Sequence, residues 1–326
     1  MQRSFWAPGR VNLIGDHTDY AGGLVLPIAV DLGIRVDVEP AERIELVSGG
    51  EAVEVAADGR GAADGWGRHA AAVAAELAEL GRRPAGIRGT VESDLPIAAG
   101  LSSSAALEVA IALALCTVAD FSLEPMELAA ACQRAELRAV GVPCGILDQA
   151  VSLLGRAGSA LLLDCATLEY RHVRLPPELA VVVVDSGRRK LEETGYAARQ
   201  RELAAGMPAR VRHVETENQR VLDTVDALER GMVDELGPLF RASHESLRDD
   251  YEVSTPELDR LVDRAYEAGA LAARLTGAGF GGSVVVLVEQ SGVEVILERL
   301  GGRVVRASDA AREVTPRRTG SLPGRA

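Results

Sequence analysis

Lysine is almost missing from this chain: of 35 lysines and arginines only Lys190 is a lysine, so nearly all the positive charge is guanidinium. A Walker A phosphate loop needs lysine directly after glycine, and Lys190 follows Arg189, which excludes that loop. Positive charge is short overall as well; 48 aspartates and glutamates leave a formal net charge of −13. Phosphate backbones are bound by basic surfaces, so nucleic acid is not an expected partner. The four cysteines (Cys116, Cys132, Cys144, Cys165) stand singly, with no C-x-x-C pair. Neither a disulfide framework nor a zinc site is indicated, and a reducing cytoplasm is the expected compartment. The first ten residues lack the apolar core of a signal peptide, and no apolar run is long enough to span a bilayer, so no membrane partner is expected.

What is present is a globular composition, 47% hydrophobic over 326 residues, enough for two packed domains. Alternation between residues 24 and 57 predicts strands. "WGRHAAAVAAELAELG" has helical spacing and a glycine stop. "GIRGTVESDLP" alternates like a half-buried strand, "SSSAALEVAIALALC" reads as a helix buried all round, "MELAAACQRAELRAV" as another helix and "AGSALLLDC" as a strand. The paired prolines Pro176 and Pro177 before "VVVVD" suggest a new start, and the chain divides into 1–172 and 173–326. The second part is mostly helical, ending in one glycine loop and the strand "SVVVLVE".

Three stretches carry candidate chemistry. "PIAAGLSSSAALEVA" puts small residues between a strand and a buried helix, where backbone N–H groups and the helix dipole favour an anion; an ordinary N-cap would also explain one of its serines. "GAGFGG" (277–282) matches a dinucleotide fingerprint literally, but a helical pattern precedes it and a strand follows, the reverse of the required order. It is either a tight turn or a place of close backbone approach to a ligand. "CGILDQAVSLLG" sets Asp148 among apolar residues, either as a helix cap or as a base facing a hydroxyl, with Arg10 as charge partner. Alone, Glu136 reads as a solvated helical glutamate or a metal ligand, and His17 as structural or functional.

Together, "GRVNLIGDHTDYAGGLVLP", "LPIAAGLSSSAA", "LTGAGFGGSVVVLV" and "SHESLRDDYEVSTPELDRLV" resemble the GHMP kinase superfamily, and within it the galactokinase branch, over nearly the whole chain. The resemblance implies an α/β plus α+β architecture: a ribosomal-S5-like N-terminal domain and a ferredoxin-like C-terminal domain. It implies ATP-dependent phosphorylation of D-galactose at the anomeric hydroxyl, giving α-D-galactose 1-phosphate. The alternatives are a 1-kinase for a related sugar (arabinose, galacturonate or an amino-sugar derivative) and a non-catalytic sugar sensor. By the same resemblance Asp148 and Arg10 are catalytic, and Asp16, His17, Thr18, Asp19, Gly145 and Tyr196 meet the sugar. Trp66, Ala98, Ala99, Gly100, Leu101, Ser102, Ser103 and Ser104 would meet ATP, and Ser104 and Glu136 would hold Mg²⁺. The expected partners are the sugar and ATP, met by a monomer. Four features depart from the family pattern: Asp16 stands where glutamate is usual, Ala21 where asparagine is common, Ala278 where glycine is common, and "DSGRRKLEET" lacks the usual asparagine.

Overall fold

The computed structural model describes residues 1–96, 100–187 and 195–316. The chain opens with β1 (Arg3–Asn12), β2 (Leu24–Val25), β3 (Pro27–Ala41), β4 (Ile44–Ser48) and β5 (Glu51–Val55). Then come α1 (Gly67–Glu79), β6 (Gly86–Ser93), α2 (Ser103–Ala119), α3 (Pro125–Val140), α4 (Leu147–Leu154), β7 (Ser159–Asp164) and β8 (Tyr170–Arg174). The second part contains β9 (Leu179–Asp185), α5 (Tyr196–Ala204), α6 (Pro208–Arg230), α7 (Leu236–Asp249) and α8 (Pro256–Glu267). It closes with β10 (Ala272–Thr276), β11 (Ser283–Glu289), α9 (Val293–Leu300), β12 (Arg303–Val305) and β13 (Arg312–Val314).

Six strands form a sheet in the order β13-β1-β3-β6-β4-β5, in which only β4 and β6 run parallel. Helix α2 lies against β1 and β3 and is enclosed by α1, α3 and α4. That enclosure is why its sequence is apolar all round rather than on one stripe. Strand β1 escapes sequence patterning because Pro8 and Gly9 interrupt it, and both residues weaken a strand. They are accommodated at a bulge, where the pairing with β3 shifts register between Pro8 and Arg10. A Cβ on Gly9 would stand 2.5 Å from the Leu101 carbonyl oxygen, so glycine lets the following loop lie directly on β1. The Arg10 N–H then donates to that same carbonyl at 3.1 Å.

The second sheet, β10-β11-β9-β12, is antiparallel throughout. Val181, Val183, Val285 and Leu287 point into the core shared with the first part of the chain. Val182, Val184, Val284 and Val286 point the other way, onto Leu258 and Val262 of α8 and Ile296 of α9. Burial on both faces, worth roughly 1.5–3 kcal/mol per side chain, explains why these strands read as unbroken apolar runs.

One sequence-based expectation is corrected. The element directly before "GAGFGG" is strand β10, not a helix; all five of its residues are buried, so it shows no alternation. The division at 172/173 falls inside β8, which still pairs with β7. The chain passes between sheets at 175–178, and β13 returns to pair with β1, completing the first sheet.

Candidate active site

A cavity of about 620 Å³ opens where β1, the loop before α2, the starts of α4 and α5, and the glycine turn after β10 converge. The bulge in β1 aims Arg10 at Asp148, in the first turn of α4. Arg10 donates from Nε to Asp148 Oδ1 at 2.6 Å and from Nη2 to Oδ2 at 2.8 Å, a bidentate pair. Its Nη1 donates to the Gly100 carbonyl at 2.5 Å, fastening the loop to the same guanidinium. Ser102 Oγ also donates to Asp148 Oδ2. A carboxylate offers about four lone-pair sites, so these three donors leave room for one more, from a ligand hydroxyl.

Because the Ser102 hydroxyl is committed to Asp148, it does not cap α2. Ser102 itself is left-handed at φ 56°. The first turn of α2 thus keeps its orphan N–H groups, with Ser102, Ser103 and Ser104 all on the cavity wall. Gly100 and Leu101 line the same wall, while Ala98 and Ala99 lie outside the described residues. Glu136, from α3, reaches the same cavity wall, and its buried Oε2 has no hydrogen-bond partner. Burial, and then the charge of Glu108 behind it, push the Glu136 carboxyl up to about 9.

At the other end, His17 adopts φ 65°, an uncommon conformation for a side-chain-bearing residue. It holds the ring 4.7 Å from Tyr251 and 5.7 Å from Tyr196, centroid to centroid, with Nδ1 2.8 Å from the Tyr20 hydroxyl. Burial, with His213 nearby, lowers its pKa to about 3, so the ring is neutral. The Asp19 carboxyl is pushed up to about 7 by burial and by the charge of Asp148. Gly145 is required there: a Cβ at 145 would stand 1.8 Å from Asp19 Oδ2.

Not every expected residue faces the cavity. Thr18 is fully buried and does not line the cavity; its hydroxyl lies 2.8 Å from the carbonyl oxygens of both Gly15 and Leu24 and shares its one proton between them, fastening the turn. Trp66 packs against the main core and does not line the cavity. Asp16 does line it, but its carboxylate is engaged elsewhere: Oδ1 accepts from the Gly277 N–H at 2.8 Å and Oδ2 lies 2.7 Å from Nη1 of the fully buried Arg274. Arg274 also donates to the Leu13 carbonyl at 3.0 Å and approaches Glu217 at 3.8 Å. Burial alone would raise the Glu217 carboxyl, but Arg274, His213 and Arg220 outweigh it and hold it at about 2. Sequence reasoning missed Arg274, Glu217 and Tyr251, whose partners lie some 200 residues away in the chain. The segment 188–194, with its departure from the family pattern, is outside the described residues.

The family model "GHMP kinases N terminal domain" matches residues 68–156, "Galactokinase galactose-binding signature" residues 3–40, and "GHMP kinases C terminal" residues 224–306. The galactokinase of Roseiflexus sp. (strain RS-1) is 41% identical, over 88% of this chain and 84% of its own. That of Thermococcus kodakarensis is 39% identical, over 87% of this chain and 89% of its own. Among solved structures, Lactococcus lactis galactokinase complexed with galactose superposes with a TM-score of 0.88 at 30% identity, covering 96% of this chain and 95% of that one. With the two-domain fold and the cavity described above, these likenesses establish that the chain belongs to the galactokinase family of GHMP kinases.

Proposed function

We propose that the protein transfers the γ-phosphoryl group of ATP to the anomeric hydroxyl of D-galactose. The observation that carries this reading is Asp148, gripped by a bidentate arginine and a serine beside an uncapped helix N-terminus. A hydroxyl bonded to the remaining site on Asp148 is oriented toward an anion seated on the first turn of α2. Asp148 orients the hydroxyl while it accepts from Arg10, which suits phosphoryl transfer: the transition state is loose, and the proton need leave the hydroxyl only late. Asp19, Tyr196 and the neutral His17 position the other sugar hydroxyls. An Asp16 carboxylate already bonded to Arg274 and Gly277 is a shared, weaker sugar contact at most.

The family's use of ATP implies a divalent cation, and the residues suit Mg²⁺: Ser104 supplies a hydroxyl and Glu136 a buried carboxylate oxygen lacking a partner. The chemistry that Mg²⁺ supplies when bound is neutralisation of phosphate charge. The decisive experiment is ADP release by the purified protein with ATP and Mg²⁺ across a panel of sugars, followed by locating the phosphate. Galactose 1-phosphate as the main product supports the reading. Turnover confined to another sugar transfers it to that substrate, and no turnover with any hexose or pentose replaces it with a sensor.

Asp19 provides a pH test. Hydroxyls donating to it favour the ionised form, so sugar binding lowers its pKa from about 7 and expels a proton. Affinity is therefore greatest above about pH 7 and falls below it by up to about tenfold per pH unit. Calorimetric titration of the sugar between about pH 5.5 and 8.5 should show this slope in the native protein and a flat profile in Asp19→Asn. A flat native profile would remove Asp19 from the sugar contacts.

A further inference from the structure

Behind the cavity, α1, α2 and α3 bring His69, Glu108 and Glu136 together, with one potential ligand atom from each lying within 4.8 Å of the others. His69 Nδ1 lies 2.9 Å from Glu108 Oε1. The Glu108 side chain is fully buried, its Oε2 has no hydrogen-bond partner, and the same is true of Glu136 Oε2. Gln149, 1% exposed, sits beside Glu108 and donates from its side-chain amide to that carboxylate. Two buried carboxyl oxygens without partners beside one imidazole form a costly arrangement unless a proton or a metal cation joins them.

We propose that His69, Glu108 and Glu136 bind a first-row transition cation of the Mn²⁺ class in the absence of nucleotide. Bonds of about 2.1–2.2 Å place the ligand atoms of one six-coordinate ion roughly 3 to 4.3 Å apart. Side-chain shifts of less than about 1 Å therefore close the site. An imidazole among carboxylates suits Mn²⁺, Co²⁺ or Zn²⁺, whereas Mg²⁺ prefers oxygen and retains its waters. Among the described residues no other group of three such side chains is brought together in this way. The site does not depend on the kinase reading; it shares only Glu136 with the Ser104–Glu136 pair.

The test is titration of the full-length, chelator-treated protein with Mn²⁺ and no nucleotide, followed by electron paramagnetic resonance. One ion per chain is expected, with binding weakened at least about tenfold in His69→Gln and in Glu108→Gln and unchanged in Ser104→Ala. Glu108 is deep in the core, so His69→Gln, at the margin, is the deciding variant, with circular dichroism to verify its fold. Absence of nucleotide-free Mn²⁺ binding, or binding that His69→Gln leaves intact, overturns the proposal. Binding lost in Ser104→Ala but kept in His69→Gln would assign the ion to the nucleotide's own cation position and overturn it equally. Neither outcome touches the kinase reading, which stands or falls on ADP release.

Discussion

Asp148→Asn should reduce kcat on the order of 10²–10⁴-fold while the sugar Kd changes little. The substituted amide keeps the shape of the side chain but loses the charge that both Arg10 nitrogens and Ser102 address. It also presents N–H donors to the substrate hydroxyl that Asp148 would accept from, so the hydroxyl loses its orientation and its path for the proton. Asp148 is part-exposed at the cavity wall, and the fold should survive the change. Arg10→Lys makes a matched second variant: an ammonium keeps the charge but cannot reproduce the two parallel bonds or reach Gly100 at once. Single-turnover kinetics with a separate sugar-binding assay divides chemistry from binding. A kcat for Asp148→Asn within about tenfold of the native value would remove Asp148 from the mechanism.

The second large effect concerns stability. Arg274→Met should destabilise the protein by about 3–5 kcal/mol, because it leaves the buried Asp16 carboxylate without its cation, although Glu217 keeps Arg220 at 2.7 Å. At roughly 2–4 °C per kcal/mol this lowers the Tm by roughly 6–20 °C. The Leu13 carbonyl loses a donor at the same time. Adding Asp16→Asn to the variant removes the stranded charge, so the double variant should regain part of the loss, a coupling that a double-mutant cycle reads directly. Thermal and urea unfolding check both variants. A loss no larger than that from a surface substitution would mean the network carries no net stability.

The Arg274 network changes the reading of the Asp16 departure. From the sequence, aspartate in place of glutamate is a shortening by one methylene at a sugar contact, a shift of roughly 1.5 Å. In the structure the shorter carboxylate lies against Arg274 and the Gly277 N–H, tying the turn after β1 to the glycine turn after β10. Its first task is to join the two parts of the chain at the cavity. Thr18 is a similar case: it sits in the most recognisable motif, yet its hydroxyl is consumed by two carbonyls of its own turn. Motif membership places a residue near a site without stating which way its side chain points.

Local physical chemistry was enough to locate most elements. The alternation of β3 to β6, the stops after α1 and the all-round apolar character of α2 are properties of short windows, and the structure has elements where those windows place them. The exclusion of a Walker A loop needed only the position of one lysine. Strand β1 and strand β10 were illegible for opposite reasons: the first contains a bulge that looks like a break, and the second is buried on both faces and has no period. What only the tertiary structure decided is which distant groups satisfy one another. The ion pair of Arg10 with Asp148, the enclosure of Arg274 between Asp16 and Glu217, and the meeting of His69 with Glu108 and Glu136 each join separate elements. Removing a charge from water is favourable only where a partner already stands, and in this chain those partners arrive through sheet register and helix packing rather than through neighbouring sequence.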